Sequence, residues 1–268
     1  WESIKNSFMS LNFDSNQNHY FYKENNTIPL VFVHGVGLDH QMWKPQVNQL
    51  SNFTILTYDL LGHGKTPFEN DTLKFEDFSN QLISILKHLD LEKINLIGFS
   101  LGSLIALDFA SKYQEKLNKL ILIGTTYKRS RSERSLVLER FNQAKLNKPI
   151  SKQAIKRWFS DEYLKKNPSI FDKFMKILTK KPKDHKNFIK AYELFANHVD
   201  NIELLKKINT KTLVMTGTND VGSTPSMSQE LVKDLPNSSY IEIPNGKHLC
   251  SIECADDVSM KIKNFITN

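Results

Sequence analysis

One stretch of this chain constrains its fold more than any other: Ile94-Asn95-Leu96-Ile97-Gly98-Phe99-Ser100-Leu101-Gly102-Ser103. It runs an apolar strand into a serine flanked by two glycines and then into a helix. A serine in Gly-x-Ser-x-Gly sits at a sharp strand-to-helix turn with strained backbone angles, and the glycines let the chains pass closely. Gly102, Ala106 and Ala110 recur every four residues, so a helix over Leu101 to Tyr113 lays a smooth face on a sheet while its N-terminal dipole points at the serine. Ser100 is therefore the candidate nucleophile. So short a pattern also arises by chance, and its context has to decide.

Upstream, residues 7–12 and 19–24 alternate as two opening strands, expected to form an antiparallel hairpin at a sheet edge. Leu30 to Val33 is a continuous apolar run suited to a strand buried on both faces, broken at once by His34-Gly35-Val36-Gly37. A helix is expected over Gln41 to Leu50, a strand over Phe53 to Tyr58, and a helix over Phe75 to His88. After the serine helix comes a strand at Leu120 to Ile123, closed by Gly124. Strands alternating with helices at this spacing imply an α/β fold with right-handed crossovers and a parallel sheet, its important loops gathered at the carboxyl ends of the strands.

The alternation then stops. Residues 128–208 hold no strand-like run, and four helices are predicted near 134–146, 151–159, 168–179 and 185–196, with Ser151 as N-cap of the second. Ile155, Trp158 and Phe159, and again Phe188, Ile189, Tyr192 and Phe195, form apolar stripes that are expected to serve packing rather than a pocket. Strands return at Thr212 to Thr216 and Tyr240 to Ile243, with helices at Pro225 to Leu235 and Ala255 to Ile266. All 10 glycines lie outside the inserted helices, which assigns the tight turns to the sheet platform.

The formal charge of +7 is unevenly placed: residues 125–210 carry 21 Lys and Arg against 9 Asp and Glu, a net of +12, and the rest of the chain carries −5. Solvated helix faces account for such lysines in general; the functional alternative is attraction of an acidic substrate or carrier. No run of about 18 apolar residues is present to span a membrane, and residues 1–18 lack the basic-then-apolar order of a signal peptide. Only 2 cysteines, Cys250 and Cys254, argue against a disulfide framework and make the cytoplasm the expected compartment.

A serine hydroxyl is a poor nucleophile at neutral pH and needs a base, itself oriented by an acid. Asp220 follows the strand at 212–216, and His248 stands in Asn245-Gly246-Lys247-His248 just after the last strand. The order Ser100, Asp220, His248 is the one expected when each sits on a loop after successive strands of such a sheet. Acyl transfer also needs donors for an oxyanion, and the backbone amides of Leu101, at a helix start, and of Val36 are the candidates. His34 and His63, beside turn glycines, read as loop-bracing hydrogen-bonders. A metal reading of His248, Cys250 and Cys254 fails on ligand count and spacing, and the glycine loops match no nucleotide-binding pattern, so no cofactor or metal is implied.

His34-Gly35 with Trp43 nine residues after His34, Asp59-Leu60-Leu61-Gly62-His63-Gly64-Lys65-Thr66, Gly98 to Gly102, Gly217 to Asp220, and Gly246 to His248 together resemble the α/β-hydrolase superfamily over nearly the whole chain. That resemblance implies a mostly parallel eight-stranded sheet flanked by helices, with a helical lid inserted after the sixth strand: a core of residues 1–124 and 210–268 and a lid of 125–209. Gly217 to Pro225 and Arg157-Trp158-Phe159 are similar to the 3-oxoadipate enol-lactonase-like branch of small carboxylesterases and lactonases. Ser103 stands where many relatives carry a third glycine, a small-for-small change. The implied activity is hydrolysis of a small ester or enol-lactone, in which part of the basic lid favours substrates carrying an anion, with no nucleic-acid or membrane partner. Serine at the nucleophile position disfavours dehalogenase and epoxide hydrolase chemistry. Carbon–carbon hydrolysis of ring-fission products, thioester or methyl ester cleavage, and a ligand receptor on the same fold are the rivals.

Overall fold

The computed structural model describes residues 10–146, 151–180 and 182–268. The first half runs β1 (Ser10–Phe13), β2 (His19–Lys23), β3 (Leu30–Val33), α1 (Lys44–Gln49), β4 (Ile55–Tyr58), α2 (Phe75–His88), β5 (Ile94–Phe99), α3 (Leu101–Lys112) and β6 (Leu117–Ile123). Then come α4 (Arg131–Lys145), α5 (Ser151–Trp158), α6 (Asp161–Lys166), α7 (Pro168–Leu178), α8 (Pro182–Ala196) and α9 (Ile202–Leu205). The chain returns to the sheet through β7 (Thr212–Gly217), α10 (Pro225–Asp234), β8 (Ser238–Ile243), α11 (Cys250–Glu253) and α12 (Ala255–Thr267).

The eight strands form one sheet in the order β1-β2-β4-β3-β5-β6-β7-β8. β1 and β2 are an antiparallel hairpin, and β2 meets β4 antiparallel; every later pairing is parallel. Residues 7–9 of the expected first strand lie outside the described residues. The parallel strands alternate between two cores. Val31, Val33, Leu96, Leu122 and Val214 face one way, onto Phe78 and Leu82 of α2 and Ile105 and Phe109 of α3. Phe32, Ile97, Phe99, Ile121 and Met215 face the other, with Trp43 and with Val258 and Ile262 of α12. Trp43 is fully buried against Phe32 and Phe99, ring centroids 5.0 and 6.5 Å away. Full burial of each large apolar side chain stabilises by roughly 1.5–3 kcal/mol before entropy, so both faces of the central strands must be covered. This is why apolar side chains occupy both faces of these strands.

The periodicity reading differs from the structure mainly in the insert. The first insert helix begins at Arg131, ahead of the expected start, because Ser130 and Glu133 form a reciprocal capping box. α6 and α9 are too short for a 3.6-residue pattern to reveal; Ser160 caps the first and Asn201 the second. The capping role expected of Ser151 falls on a side chain outside the described ones. The span expected as one helix at 41–50 opens as a 3-10 turn at His40–Trp43, capped by Asp39, before Pro45 starts α1.

Candidate active site

Ser100 follows β5 with φ 53° and ψ −115°, a conformation that costs a non-glycine residue of order 1–3 kcal/mol. The surroundings over-determine it. Its amide donates to the Ile123 carbonyl at 3.0 Å, and its carbonyl accepts the Ser103 amide at 3.0 Å and the Ser103 hydroxyl. A Cβ on Gly98 would overlap the Gly102 carbonyl, and one on Gly102 would overlap the carbonyl oxygens of Val33 and His34. Strand, helix and neighbouring loop thus approach where no side chain fits, and the serine is held at the sheet edge.

Asp220 lies in the turn after β7 and is buried. Its Oδ2 accepts His248 Nδ1–H at 2.7 Å, and its Oδ1 accepts the amides of Gly222 and Ser223 at 2.8 and 2.9 Å. A carboxylate fixed by three donors holds the imidazole in one tautomer, with Nε2 left as the acceptor. The His248 ring leans on Phe99, centroids 4.9 Å apart. Ser100, Asp220 and His248, separated by 148 residues of chain, line one cavity of about 280 Å³. Other acids with superficially similar claims are engaged elsewhere: Asp108 with Ser79 and Lys112, Asp200 with the Lys128 amide and His198, Asp234 with Tyr127 and Lys128. Val36 borders the same cavity and Leu101 opens α3, and neither backbone amide is engaged by another described residue.

His34 and His63 brace the loops around this edge. His34 Nδ1–H donates to the Gly35 carbonyl at 2.8 Å and its Nε2 accepts the Leu60 amide at 2.9 Å. His63 Nδ1–H donates to the Leu61 carbonyl at 3.1 Å and its Nε2 accepts the Gly37 amide at 3.1 Å. Both roles need a neutral ring. Burial pushes the His34 pKa down, and burial followed by the nearby His34 charge pushes His63 down to about 3. Asp59 anchors the adjoining Gly-His-Gly turn; burial would raise its pKa, yet donation from His19 and His40 holds it well below the usual carboxylate range. The ligand atoms of His19, His40 and Asp59 lie within 4.8 Å of one another. The carboxylate, however, already accepts both Nδ1–H groups, at 2.8 and 2.7 Å, and the amides of His40 and Lys65, each at 2.9 Å. Four donors fill it, so the cluster works as a brace rather than an open coordination site.

Comparison with known proteins places the chain in a family. The sequence matches the alpha/beta hydrolase fold family over residues 28–254. The chain belongs to the α/β-hydrolase family. It is 24% identical over 259 residues to (E)-2-((N-methylformamido)methylene)succinate hydrolase of Acinetobacter baylyi, covering 96% of this chain and 97% of the relative. It is 29% identical over 248 residues to 3-oxoadipate enol-lactonase 1 of the same organism, covering 90% of this chain and 89% of the relative. The crystal structure of an enol-lactonase from Burkholderia xenovorans superposes with a TM-score of 0.84 at 23% identity, over 94% of this chain and 98% of that one, a likeness of fold.

In this α/β-hydrolase the helices between β6 and β7 roof the cavity, and here the stripe expectation needs correction. Ile155 and Phe159 are buried in packing as expected, but Trp158, Phe188, Tyr192 and Phe195 line the cavity. Phe188, Tyr192 and Phe195 also pack with Phe141 and Ala144, so one stripe serves both packing and pocket. Arg140 and Arg157 line the cavity as well. Neither stood out in the charge count, because periodicity does not tell which cations of a basic helix turn inward. Lys180 reaches from the end of α7 to donate to the Gly37 carbonyl at 2.8 Å, tying the insert to the loop that carries Val36. Among the described residues no helix is long and apolar enough to cross a membrane.

Proposed function

We propose that this α/β-hydrolase cleaves a small carboxylic ester or lactone through an acyl-enzyme on Ser100, with residues 125–209 acting as a lid over a core of 1–124 and 210–268. The observation that carries the reading is the 2.7 Å bond from His248 to a fully engaged Asp220, in one cavity with a serine held at positive φ. His248 Nε2 takes the hydroxyl proton as Ser100 Oγ attacks the carbonyl carbon, and Asp220 keeps the imidazole oriented and stabilises the imidazolium. The unengaged amides of Val36 and Leu101 receive the oxyanion. Collapse breaks the carbon–oxygen bond to the leaving alcohol, which takes the proton from His248. Water then attacks the acyl-enzyme, gives a proton to His248, and releases the acid and a restored Ser100.

A cavity of about 280 Å³ lies at the small end of ligand sites and suits a short acyl chain. Relatives named for hydrolysis of a succinate derivative and of an enol-lactone support small, oxygen-rich substrates. The test is a panel of short esters, enol-lactones, acyl thioesters and ring-fission diketones offered to the purified protein. An ester or lactone as best substrate, with a burst of alcohol release ahead of acid when the substrate is an open-chain ester, supports the reading; a diketone as best substrate with esters inert overturns it.

A further inference from the structure

Among the described residues, three cations line the cavity, Arg140, Arg157 and Lys180, against a single carboxylate, Asp220. Asp220 is spent on His248 and two amides, and Lys180 on the Gly37 carbonyl. The two guanidiniums are different. Each is half-buried, and neither forms a hydrogen bond or ion pair with a described residue. Two other arginines of the insert do find partners: Arg129 donates to the Phe195 carbonyl and Thr126 and stacks 4.4 Å over the Phe195 ring, and Arg134 donates to the carbonyls of Arg129 and His198. Arg140 and Arg157 act electrostatically on each other and on Tyr192, which also lines the cavity. Burial and the Arg140 charge push the Arg157 pKa down. Two like charges on the wall of one cavity, without an anion, raise the free energy of the empty site. An anion between them removes that cost.

We propose that Arg140 and Arg157 form a subsite for a substrate carboxylate remote from the scissile bond. The planar fork of donors on a guanidinium matches the two oxygens of a carboxylate, which a lysine would meet only as a point charge. Resting on the ester-hydrolase reading, this names the substrate class as short esters or lactones that carry a free carboxylate. Hydrolysis of such an ester leaves a dicarboxylic acid whose distal carboxylate still fits the pair, so the product competes with substrate.

The test compares kcat/KM for monoethyl glutarate and ethyl pentanoate, equal in chain length, one ending in a carboxylate and one in a methyl group. Charge-assisted hydrogen bonds predict a preference for the acid ester of about 10- to 150-fold. That preference persists at 1 M salt, where the Debye length falls to about 3 Å and surface steering is screened. Arg140→Gln and Arg157→Gln each bring the ratio toward one, Arg157→Lys restores part of it, and Lys173→Gln on the exposed side of α7 leaves it unmoved. A ratio near one in the wild type, a preference that disappears at 1 M salt, or one indifferent to both Gln variants overturns the proposal. Calorimetric binding of glutarate to Ser100→Ala separates the two readings, because it needs no turnover. Glutarate binding lost in the Arg140→Gln/Arg157→Gln background, with neither ester hydrolysed by the wild type, keeps the subsite and sinks the esterase. Equal hydrolysis of both esters with no glutarate binding does the reverse.

Discussion

The sheet edge and the roof meet across one cavity with opposite habits. At the edge, the groups that brace the loops and the imidazole are fully engaged: Asp220 has three donors, Asp59 four, and His34 and His63 each use both ring nitrogens. On the roof, Arg140 and Arg157 face the same space with no partner among the described residues. Complete pairing fixes geometry, which a reaction with sub-ångström tolerance requires. Groups left unpaired at a cavity wall are instead available to a ligand, and discrimination comes from them. On the proposed reading, position and specificity then belong to different parts of the chain.

The largest break in that comparison is Ser100→Ala. It should lower kcat by on the order of 10⁴-fold or more while leaving the melting temperature nearly unchanged. A variant retaining a tenth of wild-type turnover would move the chemistry away from the sheet edge. Asp220→Asn should follow at roughly 10⁴-fold, since an amide beside His248 Nδ1 favours the wrong tautomer. Asp108→Asn, Asp200→Asn and Asp234→Asn assayed in parallel should stay within about threefold, each acid having its partners elsewhere. A dead variant among those three with an active Asp220→Asn would reassign the third member.

The pairing at the edge also carries a pH signature. His63 has a folded pKa lowered to about 3, below the ordinary 6.5, so between those values the unfolded chain binds the proton and the folded one does not. Its contribution is therefore complete above about pH 6.5 and is lost as pH falls toward 3. By pH 4.5 that is about 2–3 kcal/mol. Urea midpoints measured from pH 7 to 4.5 should fall in the wild type and fall less steeply in His63→Gln, whose amide oxygen can still accept the Gly37 amide. Parallel slopes would mean that His63 is not the proton-linked brace. The smallest effect belongs to a contact that joins the roof to the loop carrying Val36: Lys180→Gln, which removes the bond to the Gly37 carbonyl, should lower kcat/KM by about two- to tenfold. No change would show that roof and oxyanion loop act independently.

Much of the sheet edge was legible along the chain because each part of it is local. The turn around Ser100 is written in four glycine and serine positions, and Asp220 and His248 announce themselves by following apolar strands. Arg131 as the start of α4 is equally open to reading, through Ser130 and Glu133, whereas apolar periodicity alone places that helix at 134–146. The roof was not legible in this way. Twenty-one basic residues crowd 125–210, and their spacing does not distinguish Arg140 and Arg157 from the lysines on solvated faces.

By itself, then, the sequence determined the alternation of strands and helices, the strained serine turn and the chain order of the three catalytic candidates. These follow from φ/ψ limits, side-chain size and apolar periodicity, all of which act between near neighbours. Tertiary structure alone decided that Trp158 and Tyr192 line a cavity while Phe159 is buried in packing, and that two arginines from different helices line that same cavity. Those outcomes depend on how the insert helices rotate and settle over the sheet. That rotation is set by the summed fit of many long-range contacts, which no local pattern encodes.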